Sequence, residues 1–194
     1  MSDKKISIFE ESLMNSRRNF IKGAGVATFS AAAVAILGGC STKVAMAGNA
    51  QSQDLVILNT AIAAEHEAVA AYQVGAESGL LSAGILKVAV QFQGHHKEHI
   101  DALAAAVKSL GGSAVDAKSN YNFPLEKLKN ENDVLQFAAG LERGAMSAYA
   151  GAIPLFDNRD LSSAAASILA DEAMHWAVLR NVLGLDPVPG AFFS

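Results

Sequence analysis

Two eight-residue runs near the middle of this chain resemble each other closely. EHEAVAAY occupies residues 65–72 and ERGAMSAY occupies residues 142–149, and the two runs share Glu, Ala, Ala and Tyr at four places. A second matching pair follows at almost the same offset, HKEH at residues 96–99 and EAMH at residues 172–175. A pair of helices therefore occurs twice in the sequence, and each pair carries ionisable side chains at corresponding positions.

Apolar residues recur in steps of three and four along four segments, and no segment shows the alternation typical of a strand. We predict helices from about Asp54 to Glu77, from an N-cap at Ser82 to Gly111, from near Asn132 to Pro154, and from about Asp160 to Gly184. The connection between the second and third helices is long, and the other two are short. The sequence thus predicts an all-α four-helix bundle with a long crossover between helices 2 and 3 and an internal two-helix repeat.

The inward-facing seam of these helices is apolar except near its middle. There it carries Glu65, His96, His99, Glu142, Glu172 and His175. An unpaired buried charge costs several kcal/mol, so a layer of this kind requires compensation. Salt bridges are disfavoured because Lys97, Arg143 and Arg180 lie off the seam, whereas protonated carboxyls facing neutral imidazoles remain open. Divalent cations take carboxylate and imidazole ligands, so we predict a metal site formed by these six residues.

The charges of such a site can be balanced. Three carboxylates and three neutral imidazoles around two divalent ions leave one positive charge, which a hydroxide can neutralise. Tyr72 and Tyr149 lie two turns beyond Glu65 and Glu142. We expect their hydroxyls to hydrogen-bond the ligand carboxylates, although both residues also suit an ordinary aromatic core.

Four other ionisable residues adjoin this layer in the sequence. His66 and His95 flank two candidate ligands, and we expect them to face solvent rather than to act as reserve ligands or as part of a path for ions. By helical phase, Glu67 and Glu98 point away from the seam. We therefore predict that these two glutamates belong to the solvated surface.

The first forty-seven residues have the features of an export signal. The run SRRNFIK contains Arg17 and Arg18 and precedes an uncharged, moderately apolar stretch at residues 23–39, as in twin-arginine signals. A transmembrane anchor is the alternative, but seventeen residues rich in Gly and Ala are short for that role. We predict that residues 1–47 form the signal and processing region, that residues 48–194 form the bundle domain, and that the twin-arginine machinery is a partner.

Two processing sites compete at the end of this signal. LGGC resembles a lipoprotein box ending at Cys40, whereas Ala45-Met46-Ala47 fits ordinary signal cleavage. Cys40 is the single cysteine, which favours its lipidation and excludes an internal disulfide or a multi-cysteine metal site. We therefore expect an exported protein, either periplasmic or anchored to the membrane by a lipid and facing outside the cytoplasm.

The charge pattern argues against nucleic acid as a partner. The formal net charge is -4, and no cluster of Lys or Arg occurs beyond residue 22. Nucleic-acid-binding domains usually present a concentrated basic patch. The partners that we predict are instead metal ions, with oxygen or peroxide as a possible reactant.

The candidate ligands resemble those of the ferritin-like superfamily of di-iron carboxylate proteins. Its motif takes one Glu from each of two helices and Glu-x-x-His from each of the other two. Glu65 and Glu142 match the single glutamates, and Glu172 with His175 matches one Glu-x-x-His. The resemblance covers about residues 54–185 and includes the internal duplication. Among its branches, the exported architecture is most similar to bacterial ferritin-like domain proteins related to desiccation-associated proteins.

The second helix departs from the family pattern. His96-x-x-His99 stands where Glu-x-x-His is expected, if His99 corresponds to His175. A shifted frame would place Gln93 at the Glu position, but it loses the match between Leu103 and the later repeat. In the family the second-helix Glu helps to bridge two metal ions, and a neutral imidazole cannot bridge as a carboxylate does.

The resemblance implies iron bound by the six candidate residues, with two ions expected and one ion, manganese or zinc as alternatives. It implies Fe(II) oxidation or detoxification of oxygen or peroxide, which would make the protein a ferroxidase or peroxidase-type oxidoreductase. The alternative function is a non-catalytic stress or desiccation-associated binding protein with a structural or mononuclear metal site. A degenerate bundle without metal is a third interpretation, and a homodimer is compatible with any of them.

Overall fold

The computed structural model describes residues 50–192, and the predicted signal with Arg17, Arg18 and Cys40 lies outside this range. The described residues form four long helices and no strand. These are α1 (Ala50–Glu77), α2 (Ala83–Ser109), α3 (Glu131–Ala152) and α4 (Arg159–Val182), with short 3-10 helices at Leu125–Lys127 and Ile153–Leu155. The predicted all-α four-helix bundle with a long connection between α2 and α3 is confirmed. No helix within residues 50–192 combines the length and hydropathy needed to cross a lipid bilayer.

The two repeated helix pairs end in the same way. Gly111 follows α2 with a φ of 74°, and Gly184 follows α4 with a φ of 71°, a left-handed conformation that favours glycine. The amide of Gly112 donates to the Val107 carbonyl at 2.9 Å, and the amide after Gly184 donates to the Arg180 carbonyl at the same distance. Both ends are therefore Schellman motifs, and the sequence duplication extends to the helix caps.

The helix starts are capped by different means. Asn130 begins α3 and Asn158 begins α4, and each side chain accepts a hydrogen bond from an amide of the first turn, at 3.0 and 2.8 Å. Ser82 occupies the N-cap of α2 as predicted, but its hydroxyl makes no capping bond. Its amide instead donates to the Glu131 carboxylate, which joins the start of α2 to the start of α3.

Two apolar clusters fill the bundle. The first contains Leu58, Ile62, Leu103, Val107, Tyr149, Leu161, Ala165 and Ile168, and the second contains Tyr72, Phe92, Leu135, Ala139 and Leu179. Along α1, Glu65 lies between Ile62 of the first cluster and Tyr72 of the second. The ionisable layer predicted from the sequence therefore lies between two blocks of apolar side chains, which separate it from bulk water.

One buried carboxylate near the start of α1 has a purely structural role. Asp54 is 3% exposed, and its oxygens accept hydrogen bonds from the amides of Asp157 at 2.9 Å and Asn158 at 3.1 Å. Because both bonds end on the loop before α4, Asp54 fixes the position at which that helix begins. Each of its oxygens accepts a hydrogen bond, whereas those of Glu172 in the middle of the bundle have no hydrogen-bond partner among the described residues.

Candidate metal centre

The structure brings the six side chains singled out in the sequence into one layer. Five of them are 3% exposed or less, and His99 is 13% exposed. They form a first group of Glu65, His96, His99 and Glu172 and a second group of His96, Glu142, Glu172 and His175. In each group one ligand atom from every residue lies within 4.8 Å of all the others.

The two groups are related by the internal repeat. Each adds one glutamate and one histidine of its own to a shared pair, His96 and Glu172, and these two residues occupy equivalent positions in the repeat. The sequence frame that placed His96 at the position of Glu172 therefore agrees with the geometry. Where the family pattern has two shared carboxylates, this chain has one carboxylate and one imidazole.

The alternative sequence frame, with Gln93 at the glutamate position, does not agree with the geometry. The Gln93 amide donates to the Val69 carbonyl at 3.0 Å and to the Gln73 side chain at 2.8 Å. Its oxygen accepts from Lys97 Nζ at 2.9 Å. Gln93 is thus occupied in the α1–α2 contact and belongs to neither ligand group.

His96 faces the two groups with different nitrogens. Its Nδ1 lies 2.8 Å from Glu65 Oε2 and 3.5 Å from Glu172 Oε1, whereas its Nε2 lies 3.4 Å from Glu142 Oε1. A neutral imidazole has one protonated nitrogen and one free lone pair, so it can coordinate an ion on one side only. The two groups are consequently unequal as metal sites, even though their other residues correspond.

The two remaining histidines of the layer are oriented alike. Nδ1 of His99 lies 3.2 Å from Glu172 Oε1, and Nδ1 of His175 lies 3.4 Å from Glu172 Oε2. Their Nε2 atoms both face Asp171 Oδ2, at 3.4 Å from His99 and 3.2 Å from His175. A carboxylate on Nε2 holds the proton there and leaves the Nδ1 lone pair for a metal ion.

Sequence reasoning missed Asp171. It directly precedes Glu172 and lies one position off the seam, so helical phase gave it no inward role. Its position four residues before His175 was the available signal, because residues at that spacing lie on the same side of a helix.

The two tyrosines cross between the repeats. Tyr72 of α1 donates a hydrogen bond to Glu142 Oε1 of α3, and Tyr149 of α3 donates to Glu65 Oε1 of α1 at 2.5 Å. Each tyrosine therefore holds the candidate ligand of the other repeat rather than the glutamate of its own helix. Both rings also belong to the apolar clusters. Each tyrosine is therefore both part of the core and a hydrogen-bond donor to a candidate ligand.

Five polar atoms of the layer are buried and have no hydrogen-bond partner among the described residues. They are His99 Nδ1, Glu142 Oε2, Glu172 Oε1, Glu172 Oε2 and His175 Nδ1. The nearest oppositely charged atoms of the two histidine nitrogens lie 3.2–3.5 Å away but outside hydrogen-bond geometry. Each such atom costs about 1–3 kcal/mol, and buried atoms of this kind are rare in folded proteins. All five are carboxylate oxygens or imidazole nitrogens, which are ligand atoms that divalent cations take, so this set fits a divalent cation.

The histidines of the layer favour their charged form. Burial disfavours an imidazolium at His96, but hydrogen bonds to Glu142 and Glu65 outweigh it and raise the pKa of His96 to about 11. Burial likewise disfavours the charged form of His99 and His175, but nearby carboxylates, with Glu172 beside both rings, outweigh it and raise the pKa of each to about 9. In the absence of metal these imidazoles therefore favour the positively charged form at neutral pH, with a proton on each ring nitrogen.

The carboxylates respond to those charges. Burial alone would raise the pKa of Glu65, but His96 and His99 reverse this and hold it below its ordinary value. Burial also opposes ionisation of Glu142, but contacts with the adjacent Glu172, His175 and His96 side chains outweigh it and hold the pKa of Glu142 below its ordinary value. Burial and the neighbouring Glu142 raise the pKa of Glu172 to about 7. The option of neutral imidazoles facing protonated carboxyls is thus wrong for most of the layer, because the protons reside mainly on nitrogen.

The residues next to the layer differ in part from expectation. His95, expected to face solvent, is 33% exposed, and its Nδ1 lies 3.0 Å from Asp171 Oδ2 and 2.9 Å from His175 Nε2. Glu98 is exposed as predicted, but Glu67 is half-buried. Burial raises the pKa of Glu67, and Lys118 partly offsets that effect.

Comparison with known proteins agrees with this architecture. A family model described as a ferritin-like domain matches residues 53–185. The chain belongs to the ferritin-like domain family. This ferritin-like match spans nearly all of the four helices and includes every residue of the layer. The predicted membership of the ferritin-like superfamily is therefore confirmed, whereas the export signal and the desiccation-related branch stay predictions.

A solved structure has the same ferritin-like fold. It is the crystal structure of a conserved hypothetical protein, rv2844, from Mycobacterium tuberculosis, with a TM-score of 0.64 and 22% sequence identity. The match covers 74% of this chain and 99% of that chain, and at this identity it shows the fold alone. A search of curated proteins finds no match.

Proposed function

We propose that this ferritin-like domain binds two divalent metal ions in its buried layer and promotes the oxidation of Fe(II) by oxygen or peroxide. The observation that carries the proposal is a pair of ligand groups sharing His96 and Glu172, with five buried ligand atoms that have no hydrogen-bond partner among the described residues. Glu65 and His99 would hold one ion, and Glu142 and His175 the other. Glu172 is the carboxylate available to both.

With Fe(II) as the substrate, the electrons and protons balance. Two Fe(II) ions lose one electron each, and one peroxide molecule takes both electrons and two protons to leave as two water molecules. The ionised carboxylates stabilise the higher charge of the oxidised product. Tyr72 and Tyr149 hold Glu142 and Glu65 in place, and the apolar clusters limit the access of water.

The direct test is the metal content of protein purified from its native compartment, followed by aerobic addition of Fe(II) to the metal-free form. We expect two ions per chain and oxidation faster than that of Fe(II) in the same buffer. Glu67→Ala is the matched control, because Glu67 lies outside both groups and its loss should change neither result. Two bound ions without accelerated oxidation would overturn the redox part of the proposal and leave metal binding intact.

The second candidate function is favoured by one observation, the imidazole of His96 at a shared position. Since a neutral His96 can coordinate on one side only, the layer can hold a single structural ion such as zinc or manganese. The domain would then be a non-catalytic stress or desiccation-associated binding protein. One ion per chain without Fe(II) oxidation would support this function over the first.

We further propose that the protein is exported with the twin-arginine signal around Arg17 and Arg18 and is anchored by a lipid on Cys40. The support is the sequence pattern of residues 16–40. We expect Cys40→Ala to move the protein from the membrane fraction to the soluble fraction of cells, because the lipid is the proposed anchor. A variant that stays in the membrane fraction would refute the lipid anchor and favour an uncleaved transmembrane anchor, whereas wild-type protein already in the soluble fraction would favour cleavage after Ala47.

A further inference from the structure

We propose that His95, Asp171 and the Nε2 atom of His175 form a third metal site, partly open to solvent, through which ions reach the buried centre. This inference rests on the proposed two-ion centre and adds the route by which it is filled. His95 comes from α2, and the other two residues come from α4. We call this set the outer site.

The three candidate ligand atoms form a compact triangle. His95 Nδ1 lies 3.0 Å from Asp171 Oδ2 and 2.9 Å from His175 Nε2, and His175 Nε2 lies 3.2 Å from Asp171 Oδ2. Ligands bound at right angles about 2.1 Å from an ion lie about 3.0 Å apart. The three edges therefore fit one face of a coordination shell, and two imidazoles with one carboxylate suit divalent transition metals.

Protons cannot satisfy all three contacts, whatever the charge of the two imidazoles. The Asp171 carboxylate accepts only, and each imidazole nitrogen either donates or accepts. If both nitrogens are protonated, two N–H groups of His95 and His175 oppose each other at 2.9 Å. If only one is protonated, the other nitrogen turns its lone pair towards another acceptor. A cation at the centre of the triangle accepts lone pairs from all three atoms at once.

The exposure of this site differs from that of the layer beneath it. The side chains of His95 and Asp171 are 33% and 21% exposed, whereas His175 is 1% exposed. An ion held here keeps positions open to water and can exchange with the solvent. One carboxylate in place of the two available to each buried ion also predicts weaker binding than in the buried centre.

His175 connects the outer site to the buried centre. Its Nε2 belongs to the outer triangle, and its Nδ1 lies 3.4 Å from Glu172 Oε2 and 3.5 Å from Glu142 Oε1. A neutral imidazole coordinates through one nitrogen at a time, so an ion at the outer site competes with the second buried ion for this ring. The outer site therefore holds an ion in transit and releases His175 once the buried centre is full.

The test is the rate at which metal-free protein takes up Co(II) after rapid mixing. This rate is measured from the rise in the visible absorbance of bound cobalt. We expect His95→Ala to slow uptake about tenfold, in line with the cost of losing one partner at a metal site, without changing the final stoichiometry. His66→Ala is the matched control, since it removes a half-buried histidine next to a buried ligand but outside the outer site. We expect the control to take up Co(II) at the wild-type rate.

His95→Glu separates a ligand role from a structural one. A carboxylate at this position restores a metal donor, so its uptake rate should return towards that of the wild type. Equal rates for the wild type and His95→Ala, or uptake by His95→Glu as slow as by His95→Ala, would overturn the outer site. Wild-type protein that binds fewer than two Co(II) ions at equilibrium would instead count against the two-ion centre, which these rates do not measure.

Discussion

Glu172→Ala is expected to remove both metal ions from the protein, whereas Glu142→Ala is expected to remove one. Glu172 belongs to both ligand groups, and each of its two oxygens is buried without a hydrogen-bond partner. Glu142 belongs to the second group alone. Loss of the shared carboxylate leaves each ion with one carboxylate instead of two, so both ions bind more weakly and are expected to leave when excess metal is removed.

The measurement is the number of ions per chain after reconstitution with Fe(II) or Mn(II) and removal of excess metal. Glu67→Ala should retain the wild-type number, because it makes the same substitution on a half-buried glutamate outside the groups. Circular dichroism of each metal-free variant checks that the helices persist. One retained ion in Glu172→Ala would show that the two groups do not depend on a common carboxylate.

A second large effect is expected from pH. The metal-free protein should lose thermal stability as the pH rises from about 6.5 to about 9, and bound metal should offset this loss. Burial lowers the pKa of His99 and the pKa of His175, but the adjacent carboxylates of Glu172, Glu65 and Glu142 outweigh it and raise both to about 9. A raised pKa contributes stability that is complete below the unfolded-state value near 6.5 and disappears as the pH passes the folded-state value.

Two of the three carboxylates of the layer work in the opposite direction. The pKa of Glu65 and the pKa of Glu142 are lowered, so their contribution is present above the unfolded-state value and is lost only in acid. Metal ions compete with the protons on the histidines and bind more tightly as the pH rises. The midpoint temperatures of the metal-free and metal-loaded forms should therefore diverge between about pH 6.5 and pH 9.

Each kcal/mol lost lowers the midpoint by about 3 °C for a domain of this size, so the divergence is readily measured by differential scanning calorimetry. His99→Gln provides the matched comparison, because it removes one titrating imidazole and keeps a polar side chain of similar length. Its metal-free form should show a shallower decline over the same range. A wild-type midpoint that stays constant from about pH 6.5 to pH 9 would contradict the charged state of the histidines.

The sequence was sufficient for the fold and for the members of the buried layer. The repeat, the apolar steps of three and four, and the glycines after α2 and α4 are local features, and they determine where helices begin and end. Six ionisable residues on otherwise apolar seams must meet once the helices pack. Their convergence follows from burial alone and requires no knowledge of side-chain angles.

Other features depend on contacts between helices that no local pattern reports. His95, which was expected to face solvent, and Asp171, which sequence analysis did not single out, each lie one position off the seam, yet they meet across the interface of α2 and α4. The sequence pattern also could not identify the hydrogen-bond partners of the tyrosines, because the hydroxyl of Tyr72 reaches across the bundle to Glu142. The protonation state of His96 could not be predicted from the sequence either, since its raised pKa arises from carboxylates on other helices.

The crossed tyrosine bonds bear on how the two halves of the bundle stay together. Helix α1 packs mainly against α2, and α3 mainly against α4, so each half is a hairpin with most of its contacts internal. The bonds from Tyr72 to Glu142 and from Tyr149 to Glu65 run between the hairpins in opposite directions. The hairpins cannot part without breaking both tyrosine bonds. The glutamates proposed to hold metal thus also join the two hairpins, and neither half of the duplicated chain can complete these hydrogen bonds without the other.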